Sequence, residues 1–386
     1  MSGTGPLQGL RVLALEQAVA APLCSRHLAD LGADVIKVER PDGGDFARDY
    51  DTFVDGVASH FVWLNYGKRS VALDLKSTEG AAALRRLLTE ADVFISNLSP
   101  GAVERIVSEQ ELAEINPRLI TCQISGYGPD GPYRERKAFD LLVQGEAGVT
   151  ANTGTPDVPA KPGVSLADLG GGIYAATAIL AALHSRDATG VGERIHVSMF
   201  DVLVEWMSPL LLAHKEGGVD IEPAGTRHAT ITPYGPFVAA DGVTVNVAVQ
   251  NDRQWRLLCE VLGLDDMAGD DRLEKNSGRL AHRDEVEGAV ASAVRGQTSG
   301  ALAAAFDRAG IPWGRLNRTA DVVAHPQLVA EHRWRPVQLP HGATATVVAP
   351  PFRFADHRAQ EVPRVPALGE HTGEGFHART REHSHG

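Results

Sequence analysis

The chain has 386 residues, 43% hydrophobic and 22% charged, which suffices for a large buried core and two domains and excludes a disordered or fibrous protein. Its formal net charge of −12 excludes a surface built for nucleic acid or anionic lipid, because both need clustered positive charge; basic residues that converge would mark a local anion site. Cys24, Cys122 and Cys259 lie far apart with neither CxxC nor metal-ligand spacing, which suits a reducing compartment and buried structural roles.

No apolar run reaches the ~18 residues of a membrane span. The first residues also lack a charged segment followed by an apolar one, so a cytoplasmic location is expected, with no membrane or nucleic-acid partner. Residues 10–15 read as a strand, 22–31 as a helix and 34–39 as a second strand, the start of a βαβ unit. The alternation continues through strand 71–75, helix 78–89, strand 93–97, helix 102–107 and strand 119–125. It predicts an α/β fold with a mostly parallel, Rossmann-like sheet and helices on both faces.

A dinucleotide site must be weighed, because Glu39 ends the second strand where a ribose-binding acid would lie. The loop Glu16-Gln17-Ala18-Val19-Ala20-Ala21-Pro22 speaks against it, having no glycine fingerprint to admit a pyrophosphate. Arg40 follows Glu39 at once. Its guanidinium fork suits a phosphate, and a solvated surface arginine fits the same position. Basic residues recur at comparable places: Lys68 and Arg69, Lys76, Arg105, and Arg134, Arg136 and Lys137. The carboxyl ends of strands in an open α/β sheet line one crevice, so their convergence there predicts a polyphosphate ligand.

Further on, Pro162-Gly163-Val164-Ser165-Leu166-Ala167-Asp168 carries an extended segment into a helix, and Gly170-Gly171-Gly172 follows, where a ligand could approach the main chain. Asp168 is therefore a candidate nucleophile. Ser165 and Asp168 also fit the Ser-x-x-Asp helix-start signature, and the macrodipole favours an acid in a first turn anyway, so a capping role stands beside it. A glycine-rich turn at 189–194 leads to strand 195–199 and helix 200–213. Residues 215–226 lack periodicity and hold Gly217, Gly218, Pro223 and Gly225, as a linker would. Asp241-Gly242 predicts a hairpin over 234–249, and helices are expected at 253–262, 283–294 and 299–309, making a second, α+β domain. Residues 337–348 read as extended. The C-terminal histidines read as a polar tail rather than a metal site, and no metal is expected.

Together these segments resemble the class III CoA-transferases, the family of formyl-CoA transferase, carnitine CoA-transferase and α-methylacyl-CoA racemase. The resemblance runs through Leu7 to Leu13, Gly32 to Glu39, Asn65 to Ser70, Leu73 to Lys76, Asn97 with Pro100-Gly101-Ala102, Asn116 to Ile120, and Gly190 to Glu193. It ends in Gly310-Ile311-Pro312 and Leu368 to Thr372. It implies a large Rossmann-like domain built from residues 1–214 and 331–386, a linker at 215–226, a smaller domain at 227–330, and an interlocked homodimer. Asp168 falls where the family keeps its catalytic aspartate, which sets the capping role aside.

The resemblance further implies no tightly bound cofactor, coenzyme A as a substrate, and an acyl-CoA and a short carboxylic acid as partners. Val19, Arg40, Leu73, Lys76, Asn97, Arg105 and Lys137 match family CoA contacts. Amides of Gly170 to Gly172 are candidate oxyanion donors. Racemases place a histidine before the aspartate of Ala138-Phe139-Asp140, so Phe139 removes the base that α-proton exchange needs. The glycine loop of formyl-CoA transferase is not recognisable, which turns the expectation away from oxalate and formate. Segments 59–65, 205–207 and 228–237 look most like members handling mesaconate, itaconate or citramalate, making His60, His228 and Tyr234, with the adjoining Arg227, candidate substrate residues beside Phe139 and Asp140 of the segment just named. A succinyl-, mesaconyl- or itaconyl-CoA donor is expected. A racemase and a non-catalytic CoA-binding homologue are the alternatives.

Overall fold

Near-continuous runs of Val, Ile, Leu and Ala make strands that bury both faces, and such strands assemble as parallel sheets covered by helices. Six do so in this computed structural model, which describes residues 5–355 and 362–377; His383 and His385 lie outside the described residues. The strands β1 (Arg11–Leu15), β2 (Asp34–Glu39), β3 (Arg69–Ala72), β4 (Val93–Ser96), β5 (Ile120–Ser125) and β6 (Arg194–Ser198) take the order β3-β2-β1-β4-β5-β6, all parallel. The connecting helices are α1 (Ala20–Asp30), α2 (Ser59–Asn65), α3 (Thr78–Glu90), α4 (Glu109–Ile115), α5 (Asp140–Glu146), α6 (Leu166–Thr189) and α7 (Met199–Trp206).

Alternate residues of each strand serve opposite faces. Leu13, Ile36, Val38 and Phe94 join Leu84 and Leu88 of α3 in one core cluster. On the other face lie α1 and α6. Helix α6, 24 residues long with a stretch of mean hydropathy 1.6, has the length and composition of a membrane span although Asp168 interrupts it. Its buried glycines account for its place in the core. A Cβ on Gly172 would stand 2.6 Å from the Ala20 carbonyl oxygen and 3.0 Å from Leu23 Cβ of α1. One on Gly170 would stand 2.6 Å from Val202 Cγ1 of α7. Gly172→Ala gains about 1 kcal/mol of helix propensity, but the clash is with backbone that cannot swing away. Overpacking costs about 1–3 kcal/mol, so a net loss of stability in urea titration is the expected outcome.

The described residues form two compact units. The first comprises 5–148, 162–207 and the described residues from 329 onward; the second comprises 149–161 and 208–328. In the first, strands Trp334–Gln338 and Thr344–Val348 pair antiparallel, and Val337, Leu339 and Val365 pack with Phe61, Val62 and Tyr66 around α2. The chain then covers the sheet edge at β3. His371 N–H donates to the Ser70 carbonyl at 2.9 Å, His371 Nδ1 accepts from Ser70 N–H at 3.2 Å, and Thr372 Oγ1 accepts from Ala72 N–H at 3.0 Å. The second unit is a three-stranded antiparallel sheet, Trp313–Arg315, Thr244–Ala248 and Tyr234–Val238 in that order. Helices Asp252–Leu262, Arg283–Arg295 and Ser299–Ala309 bury Trp255, Val286 and Phe306 against it. The expected hairpin and three helices are thus present.

Two expectations are corrected, and one helix is added. Residues 102–107 are turns, and the helix starts at Glu109 because Ser108 Oγ accepts the Glu111 N–H and caps it. The single helix expected over 200–213 is two, Met199–Trp206 and Ser208–Gly217, with Pro209 in the first turn of the second. Helix α2 was not anticipated. Its cap comes from Asp51, eight residues before Ser59, whose Oδ1 accepts the Ser59 N–H at 2.9 Å and whose Oδ2 accepts the hydroxyl at 2.7 Å.

Candidate active site

Asp168 stands in the first turn of α6, where the helix dipole favours a carboxylate. Ser165 occupies the N-cap position yet makes no capping hydrogen bond. The cap comes instead from α5: Asp140 Oδ1 accepts the Ala167 N–H at 2.9 Å, and its Oδ2 accepts from Gln144 Nε2 at 2.7 Å. Asp140 is therefore buried as an anchor for the amino end of α6, with Phe139 beside it 65% exposed. Gly170 to Gly172 do not offer free amides. They lie inside α6, where each N–H belongs to the i−4 ladder, so their smallness serves helix packing rather than an oxyanion.

Around Asp168 the first unit gathers an aromatic wall. Leu169 and Trp63 of α2 both pack against a buried cluster of Val19 and Leu23, from the loop and helix after β1, and Leu64. His60 meets Trp63 edge-on at 6.2 Å and Tyr50 at 5.6 Å between ring centroids. Burial, with the negative charges of Asp45 and Asp168 facing it, pushes the Tyr50 phenol up to about 12. Tyr50 was not legible as a site residue, since it sits in a loop without periodicity; only its clustering with Phe46 and His60 in space marks it.

Beside this wall, the carboxyl ends of β1 to β4 enclose a cavity of about 200 Å³. It opens where the strand order reverses between β1 and β4, the crevice in which open α/β sheets bind ligands. Arg40, Leu73 and Lys76 line it together with Gln17, Asp45 and Leu98. Arg40 Nε donates to the Gly44 carbonyl at 2.9 Å, and the rest of its side chain is exposed. Asn97 staples the ends of β1 and β4: its Oδ1 accepts the Gln17 N–H at 2.9 Å and its Nδ2 donates to the Gln17 carbonyl at 2.8 Å. Arg105 and Lys137 are exposed and do not line this cavity.

Glu39 is no ribose ligand. Its buried carboxylate accepts from Arg48 Nη2 at 2.7 Å and Nε at 2.9 Å, from Ser70 Oγ at 2.6 Å and from the Asp45 N–H at 3.0 Å. Burial pushes this carboxyl up, but the hydrogen bonds from Arg48 and the charge of Lys37 outweigh it and hold it at about 2, against an ordinary 4.5. A carboxyl depressed on folding stabilises the protein above its unfolded value and ceases to as pH falls through the folded one. A shift of this size corresponds to roughly 3 kcal/mol at pH 7, lost between about pH 5 and 2. Glu39→Gln should therefore be less stable at pH 7, and its denaturation midpoint should vary less with pH across that window.

In the second unit Arg227, His228 and Tyr234 lie together. The His228 ring stacks on Tyr234 at 5.2 Å. Arg227 Nη1 stands 3.1 Å from the buried Glu287 Oε2, an ion pair whose angle falls outside hydrogen-bonding geometry. Arg283 and Thr232 donate to the other oxygen of Glu287. The guanidinium expected to anchor a substrate thus already faces an acid of its own unit.

This geometry, an acid at a helix start beside a cavity at the sheet's switch point that Arg40 and Lys76 line, accords with the sequence model of CoA-transferase family III, which matches residues 7–372. The chain belongs to that family. It is 35% identical over 375 residues to the succinate–glutarate CoA-transferase of Agrobacterium fabrum, covering 95% of this chain and 94% of that one. It is 33% identical to the succinyl-CoA:mesaconate CoA-transferase of Haloarcula hispanica, covering 96% and 95%. The crystal structure of a CaiB/BaiF family protein from Brucella suis superposes with a TM-score of 0.82 at 35% identity, covering 96% of this chain and 98% of that one. As a family III CoA-transferase it is an enzyme, and its substrates are CoA thioesters and carboxylates.

Proposed function

We propose that this enzyme moves coenzyme A between a four- or five-carbon dicarboxylyl-CoA and a carboxylate acceptor through an aspartyl-CoA thioester on Asp168. The observation that carries the proposal is the juxtaposition of Asp168 with the aromatic wall and of that wall with the cavity holding Arg40 and Lys76. The names of the relatives, with succinate, glutarate and mesaconate, support the acyl class.

In this mechanism an Asp168 oxygen attacks the donor thioester carbonyl, the C–S bond breaks, and a mixed anhydride and CoA thiolate result. The thiolate attacks the Asp168 carbonyl carbon, releasing the donor acid and leaving the aspartyl thioester. The acceptor carboxylate repeats both steps in reverse and restores Asp168. Each exchange trades one activated acyl bond for another, so two bulky ligands never react directly. The aromatic wall keeps water from the anhydride. Arg40 and Lys76 hold the phosphates of CoA, and two interlocked protomers form the working dimer.

Intact-mass measurement after incubation with succinyl-CoA tests the covalent step. The expected result is a CoA-sized adduct on the peptide containing Asp168; no adduct with any of a panel of acyl-CoAs, or an adduct persisting in Asp168→Ala, would overturn it. Arg40→Ala should raise the Kd for CoA about ten- to a hundredfold, the worth of charge-assisted hydrogen bonds, and flatten its salt dependence. Calorimetric titration at two salt concentrations measures both.

A further inference from the structure

Three consecutive residues after β1 are each gripped by side chains from elsewhere in the first unit. Glu16 is buried, its Oε1 accepting from Lys68 Nζ at 2.7 Å and its Oε2 from Ser25 Oγ at 2.6 Å. Both peptide groups of Gln17 are held by Asn97. The Ala18 N–H donates to Asp45 Oδ1 at 3.0 Å. Asp45 is itself buried and pinned: its Oδ2 accepts from Lys37 Nζ at 2.8 Å, its Oδ1 also accepts the Ala47 N–H at 2.9 Å, and its own N–H donates to Glu39.

The grip ends on a strained residue. Ala18 has φ +61°, in the left-handed region where a side chain is disfavoured and glycine is the ordinary occupant. Such a conformation persists only where its surroundings over-determine it, and it clusters at functional sites. What hangs on it here is on both sides. Gln17 lines the cavity, and Val19 belongs to the buried cluster against which Leu169, the neighbour of Asp168, packs. The loop is one wall shared by the cavity and the nucleophile.

We propose that Asp45, locked by its ion pair with Lys37, is a positioning residue for acyl transfer: it holds Ala18 left-handed and thereby sets Gln17 and Val19 against the Asp168 end of α6. This rests on Asp168 being the nucleophile. Asp45 acts through the backbone of Ala18, so removing it displaces a wall and leaves the reacting groups in place.

The test uses the full chain and three variants. Asp45→Ala should lower kcat about ten- to a hundredfold, the scale of a small misplacement. Ala18→Gly added to Asp45→Ala should restore most of kcat, because glycine adopts this φ without a clamp. Ala18→Val, which leaves Asp45 and Lys37 intact, should lose kcat as well, since a β-branched residue resists positive φ; it keeps the idea testable should Asp45→Ala not fold. A merely structural Asp45 would lower the melting temperature and leave kcat per folded molecule unchanged. Amide hydrogen exchange, which needs no turnover, should show faster exchange at Ala18 in Asp45→Ala even if the transferase reading itself fails. Wild-type kcat in Asp45→Ala, an unrestored double variant, or unchanged exchange at Ala18 would each overturn the proposal.

Discussion

Asp168→Ala should reduce CoA transfer by at least ~1000-fold, the scale on which enzymes lose turnover when a covalent nucleophile is removed. Stability should barely change. The amino end of α6 is capped by Asp140, not by Asp168, so the helix keeps its anchor when the carboxylate goes. The loss includes a favourable acid–dipole interaction of about 0.3–1 kcal/mol. Steady-state kinetics and a thermal melt on one preparation separate the two effects. A variant that turns over near the wild-type rate would remove the covalent mechanism, while one that fails to fold would contradict the capping by Asp140.

Succinyl-CoA should react at least ~100-fold faster, by kcat/KM, than butyryl-CoA of the same chain length. A site that satisfies a distal carboxylate rejects the analogue lacking it because its own polar groups are left unpaired, by on the order of 10⁴ in the best cases. The group itself needs a partner, since burying an unpaired anion costs several kcal/mol. Of the residues first considered for this, Arg227 already faces Glu287. His60, edge-on to Tyr50 beside Asp168, is the better placed partner within the first unit. His60→Ala should therefore narrow the succinyl-to-butyryl ratio, and Arg227→Ala should leave it alone. Butyryl-CoA reacting as fast as succinyl-CoA would sink the dicarboxylate assignment.

How much of this was legible in the sequence follows from the range of each interaction. The parallel sheet was, because a strand buried on both faces announces itself in a few adjacent residues. So was the helix start that carries Asp168 in its first turn. The origin of its cap was not: Ser165 carries the local signature, whereas the bond comes from Asp140, 27 residues earlier. Glu39 shows the same gap, since an acid at the end of a second strand suggests a ribose ligand until Arg48 and Ser70 are seen to occupy it. Gly170 and Gly172 give α7 and α1 their close approach rather than admitting a ligand, a distinction that periodicity within one helix does not carry.

The closure of β3 has a consequence for biogenesis. Ser70 and the His371 that seals its edge are 301 positions apart. At roughly 5–20 residues per second of synthesis, the ribosome needs about 15–60 s to supply the seal after β3 has emerged. For that time the outermost strand has unsatisfied amides at Ser70 and Ala72, a template for strands of neighbouring nascent chains. The enzyme's vulnerable moment in the cell therefore comes before its last segment is made, and chaperone demand should track translation speed rather than the stability of the finished fold.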